Sequence, residues 1–324
     1  MSLVSQYDAF IGSLVKELLN AKPEILSDSD RQLTFSQLKR FQNFEDAQNF
    51  IIEKEIDSLL RKSHSDQIEW IKNKFNIKIS PGEDLWASFI ELTERRNIFV
   101  HADGNVTTQY FNTCSKLNLK HIKDIRIGTE LWVPQDYFED AFSTVYELGF
   151  KLGQVLWRKI IPNEIEDADL QIINISFDLL DLEKNELAYK ICHFGSEVLK
   201  NVHSEEFRRI MLINKAIALK WLGEEEESKN LINSLDWSGW SLKYKLAVST
   251  LNQDFEKTYD IMREIGPNHR DISSVEYRDW PLFREIRQEV MFQQVYSEIF
   301  GHELTVFKEN GEEAHDEDSP QKKN

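Results

Sequence analysis

The sequence predicts an all-α protein, a helical bundle followed by an α-solenoid of paired helices. Three observations carry that expectation. Glycine and proline are scarce, at 12 and 7 in 324 residues. Few segments alternate with period two, whereas many repeat apolar residues at helical spacing. Hydrophobic residues make up 41% of the chain, with 20 Phe and 8 Trp, enough to pack two domains of this length around their own cores.

Helical periodicity opens over residues 7–19 and resumes in a longer helix or pair over 34–75, broken near His64-Ser65. Pro81-Gly82 then punctuates the chain, and Ser80 or Asp84 is the expected cap of the next helix. That helix carries Leu85-Trp86-Ala87-Ser88-Phe89-Ile90-Glu91-Leu92 and ends at Asp103-Gly104. A short helix through Cys114-Ser115-Lys116 and a loop around Gly128 follow. Residues 137–159 make one long amphipathic helix, with Phe142, Val145, Leu148, Gly149, Leu152 and Val155 as its apolar stripe.

Pro162-Asn163 and the polar run after it predict a boundary between a domain of residues 1–162 and one of 163–302. In the second, short helices join at Leu222-Gly223-Glu224-Glu225 and Leu251-Asn252-Gln253-Asp254-Phe255. Turn spacings of roughly thirty to forty residues bracket a helix-turn-helix repeat. Small residues such as Ala216, Ala218 and Ala247 allow close helix approach. Residues 168–266 thus resemble a degenerate tetratricopeptide array, although no repeat carries the full pattern and Thr258 stands where a small Ala is expected. Trp280-Pro281-Leu282-Phe283 leads into a segment resembling a capping helix, with Arg284, Arg287, Gln288 and Glu289 as a polar face. Residues 303–324, acidic and of low complexity, are expected to be a disordered tail.

The formal net charge of −17 opposes non-specific nucleic-acid binding, which runs on phosphate neutralisation. Against that background, Arg95, Arg96, Lys116, Lys120, Lys123 and Arg126 are the densest cationic region of the N-terminal half. Two distant cysteines, Cys114 and Cys192, suggest a reducing compartment and no zinc site. With no signal-like start and no apolar run long enough for a membrane span, a cytoplasmic protein is expected. Phosphate-binding glycine loops, nucleophile elbows and metalloprotease signatures do not occur, so neither cofactor nor metal is expected. The carboxylates Glu224 to Glu227 read as a solvated helix start, and His193 and His203 as core or surface histidines.

The most informative stretch is Glu94-Arg95-Arg96-Asn97-Ile98-Phe99-Val100-His101-Ala102-Asp103-Gly104, in the last turns of the motif helix. An arginine offers charge for a phosphate, an asparagine a donor to orient it, and an imidazole a proton-transfer group. On a helix Asn97 and His101 share a face, while Arg96 lies about 100° from Asn97 and about 140° from His101. One copy therefore converges imperfectly on a phosphate, and a two-fold pairing of two such helices would bring both sets into one groove. A histidine near a helix C-terminus also has a plain structural reading, a favourable contact with the helix dipole.

The order Arg96-Asn97-x-x-x-His101, with the polar turn and helix after it, resembles the signature of the HEPN (higher eukaryote and prokaryote nucleotide-binding) family. The resemblance spans roughly residues 5–160 and implies an all-helical domain with an active cleft at a homodimer interface. It implies a metal-independent endoribonuclease of a bacterial defence or toxin–antitoxin type, acting by attack of the ribose 2′-OH and leaving a cyclic phosphate. Arg96, Asn97 and His101 would be catalytic, with Arg95 and Lys116 contacting the RNA substrate. Some HEPN toxins carry a Tyr two residues after the His, where an antitoxin modifies them; here that position is Asp103. The alternative from another class is a non-catalytic interaction protein that binds a protein partner on the tetratricopeptide-like region, with the N-terminal domain only dimerising.

Overall fold

The computed structural model describes residues 2–28, 32–78, 82–117, 119, 122, 124–270 and 272–305. Among them the protein is all-α, with no strand and one isolated antiparallel bridge, Asn105 to Glu130. Two compact units are present: residues 1–176 with 186–211, and residues 177–185 with 212–324. The sequence break at Pro162-Asn163 coincides with a 3-10 turn, Pro162–Glu164, while the division into units falls further along the chain, after Ser176. The acidic run 309–318 lies outside the described residues, as do Ser80, Lys120 and Lys123.

In the first unit, α1 (Ser2–Ala21) packs against α3 (Phe44–Leu60) and α7 (Gln135–Ile160), with the four-residue α2 (Phe35–Leu38) preceding α3. α4 (His64–Lys74) begins where the break was expected, capped by Ser63, whose hydroxyl accepts from Asp66 N–H at 3.2 Å. α5 (Glu83–His101) packs on both α7 and α6 (Thr108–Lys116). Ile11, Leu19, Ile52, Phe89, Leu148 and Leu152 are fully buried in the shared core. The α7 stripe is only partly inward: Val145, Leu148, Gly149 and Leu152 are buried, but Phe142 and Val155 are half-exposed. The buried face turns instead through Ala141, Leu156 and Ile160, following the 3.6-residue period along 26 residues.

After α7 come α8 (Ile165–Asp181), α9 (Asn185–His193), α10 (Glu205–Trp221), α11 (Glu225–Asn233), α12 (Leu242–Leu251) and α13 (Phe255–Ile265). Three of the joints are the same turn. In Leu182-Glu183-Lys184, Leu222-Gly223-Glu224 and Asn252-Gln253-Asp254 the middle residue has φ of 56°, 86° and 60°. The third residue's N–H donates to a carbonyl five residues back, at 2.8, 2.9 and 3.0 Å. Each is a left-handed helix stop that satisfies otherwise orphaned carbonyls. The carboxylates Glu225, Glu226 and Glu227 form the first turn of α11, as expected of a solvated helix start. The second unit closes with α14 (Ser274–Asp279) and α15 (Val290–Phe300), around a cluster of Tyr277, Phe283 and Phe292.

Candidate functional site

α5 positions the motif. Its start differs from expectation: the N-cap is Gly82 at φ 93°, without a side-chain cap, and Asp84 sits inside the first turn. Glu83 and Asp84 there oppose the positive end of the helix dipole. The other end is as expected. The helix stops at His101, Asp103 and Gly104 take φ of 50° and 77°, and the N–H groups of Ala102 and Gly104 both donate to Ile98 O, at 2.9 and 3.1 Å. The positive φ favours glycine at 104, and a Cβ there would also sit tightly against the Phe99 ring, at 3.2 Å.

The chain leaving α5 is held firmly. Val106 N–H donates to Thr129 O at 2.9 Å, Gly128 N–H to Val106 O at 2.8 Å, and Leu131 N–H to Gly104 O at 2.9 Å. Thr107 caps α6 by accepting from Tyr110 N–H at 3.2 Å. Beneath this, Ile98, Val106, Tyr110, Cys114, Ile122 and Leu131 form a small separate core.

One turn before the motif, a charged network is buried inside the bundle. Glu91 is 4% exposed and accepts hydrogen bonds on both carboxylate oxygens. Its Oε1 takes Arg95 Nε at 2.7 Å and the Tyr110 hydroxyl at 2.5 Å, and its Oε2 takes the Tyr137 hydroxyl at 2.7 Å. Arg95 Nη1 donates to Trp132 O at 3.0 Å, and its guanidinium lies 4.0 Å from the centre of the Tyr137 ring. Burial lowers the Arg95 pKa, but Glu91 and the two tyrosines outweigh it and hold the group above its ordinary value. Burial first, and the Glu91 charge second, push both tyrosines above theirs. The same causes, with Glu94 added, push the Cys114 thiol up to about 12.

The candidate residues separate on this frame. Arg95 is buried and faces the bundle; the Nε and Nη1 donors it would have offered a substrate are directed to Glu91 and Trp132. Arg96, about 100° further round the helix, is half-exposed, and its Nε is buried without a hydrogen-bond partner. Asn97 is half-exposed and His101 exposed, one turn apart on one face. Lys116 ends α6 and Arg126 lies in the loop pinned to Val106; both are exposed.

Sequence reasoning passed over Glu91, Tyr110 and Tyr137. A signal was present for the first: Glu91 interrupts an apolar run and stands four residues before Arg95, the favoured order for a helical ion pair. Among the described residues no three of His, Cys, Asp and Glu come together as a metal site, and no helix is long and apolar enough to cross a membrane. No family model matches the chain, and neither a curated protein nor a solved structure matches it.

Proposed function

We propose that this protein is a metal-independent endoribonuclease of the HEPN type. The observation that carries the reading is the end of α5, where Arg96, Asn97 and His101 occupy the last turn and a half, His101 exposed and Arg96 Nε unpaired. An unmade hydrogen bond on a buried guanidinium nitrogen costs free energy that an anionic ligand can recover. His101 acts as general acid or base: a ribose 2′-OH loses its proton, its oxygen bonds to the adjacent phosphorus, and the P–O5′ bond breaks as O5′ is protonated. Arg96 neutralises charge on the phosphoryl oxygens and Asn97 holds the phosphate or orients the imidazole. Lys116 and Arg126 supply local positive charge in a chain whose total is −17.

Because Arg96 and His101 diverge by about 140° on one helix, the active cleft pairs two copies of the N-terminal domain. Residues 168–266 would supply a tetratricopeptide-like region for a protein partner, in keeping with a bacterial defence or toxin role in the cytoplasm. The test is cleavage of single-stranded RNA in excess EDTA. Wild type is expected to cleave and leave a cyclic phosphate, and His101→Ala to lose about 10²–10⁴ in rate. Arg96→Lys is expected to fail too, since an ammonium keeps charge but lacks the planar fork. Cleavage only with added divalent metal means the wrong reaction class. The net charge of −17 favours a second reading, a non-catalytic interaction protein; in that case wild type cleaves no RNA and only a protein partner binds.

A further inference from the structure

We propose that the seam between α1 and α7 is a docking groove for an amphipathic helix with basic residues near its ends. The groove lies wholly within the first unit and does not depend on the ribonuclease reading. Two depressions of about 340 and 400 Å³ lie along the seam and share Phe10, Gly149 and Phe150. One is bounded on α1 by Leu3 and Tyr7 and the other by Leu14 and Leu18. From residue 3 to residue 18 that is about 22 Å of helix, the length of four turns of a bound helix.

The floor is built for close approach. Gly149 and Gly153 are one turn apart, and the Phe10 ring comes within 3.3 and 3.7 Å of where their Cβ atoms would be. Phe10 remains 41% exposed, and Phe142, Tyr146 and Phe150 are only half-buried. Such a continuous apolar strip on a polar surface marks an interaction site, and its width and length suit an amphipathic helix laid in a groove.

Charge selects the occupant. Glu17 and Glu164 line one end. Glu139, exposed and three residues before Phe142, lies on the same face of α7 at the other end. Glu164 accepts from Trp157 Nε1 at 2.7 Å, and a carboxylate has further acceptor sites. Carboxylates at both ends repel the headgroup of a fatty acid and attract lysine or arginine flanking an apolar helical face.

Two synthetic 18-residue peptides test this on the full chain by fluorescence anisotropy, both with leucine at helical period and the remainder lysine in one, glutamate in the other. The Leu/Lys peptide is expected to bind saturably with one-to-one stoichiometry and the Leu/Glu peptide at least about tenfold more weakly. Phe10→Asp should abolish Leu/Lys binding with an unchanged circular dichroism spectrum. If that variant does not fold, the exposed charge reversal Glu17→Lys with Glu139→Lys decides, and it should reverse the preference between the peptides. Equal binding of both peptides, indifference to these substitutions, or displacement by palmitate overturns the proposal. So does a wild-type dimer that Phe10→Asp converts to monomer, which would make a second copy the occupant.

Discussion

Arg95 and Arg96 are neighbours in sequence with opposite fates, and the contrast separates the two faces of the end of α5. On the inner face, Arg95 meets a buried carboxylate, a backbone carbonyl and an aromatic ring, and these tie α5 to α6, α7 and the loop before α7. On the outer face, Arg96 keeps an unpaired nitrogen and His101 stands exposed at the helix stop. A 100° step per residue is enough to divide them. Fixing the inner arginine sets the rotation of the helix, and that rotation sets where the outer residues point. Charge that anchors and charge that is presented are built from adjacent residues of the same type.

The largest expected break of this contrast is on the inner face. Glu91→Leu leaves Arg95 charged and buried without its partner, and removing one member of such a pair costs about 3–5 kcal/mol. A urea unfolding curve should show the loss, with helicity retained below the transition. Tyr137→Phe removes one hydrogen bond to a charged acceptor and keeps the ring under Arg95, for about 1.5–3 kcal/mol in the same assay. The smallest effect is on pH dependence. Both tyrosines hold their proton more tightly when folded, so their contribution is complete below the ordinary tyrosine pKa of about 10 and declines as pH rises beyond it. Cys114, raised to about 12, acts in the same direction from the ordinary thiol value of about 8.5 upward. Unfolding free energy should therefore fall between about pH 8.5 and 10.5, and less steeply in Tyr137→Phe.

How far these features were legible in the sequence follows their physical range. The end of α5 was readable because Asp103-Gly104 is a local signal, and the break before α4 fell within a few residues of His64. Local signals also marked the turns at Gly223 and Gln253. The identical turn at Glu183 was not visible, because glutamate gives no sign that it will adopt φ 56°. Gly82 took the cap expected of Ser80 or Asp84, a choice that depends on how the chain enters the helix. The Glu91 network needs Tyr110 and Tyr137, 19 and 46 residues away, and only folding brings them together. The α1–α7 groove is a product of the same long-range packing: Phe142 fits the stripe by period, yet the seam leaves it half-exposed.

The most direct test of the two-face account compares Arg95→Ala with Arg96→Ala, measuring unfolding free energy and RNA cleavage on the same preparations. The account predicts that Arg95→Ala loses about 3–5 kcal/mol by stranding Glu91. Arg96→Ala should keep its stability within about 0.5 kcal/mol and lose cleavage. An Arg96→Ala protein that cleaves like wild type, or that loses as much stability as Arg95→Ala, would contradict it.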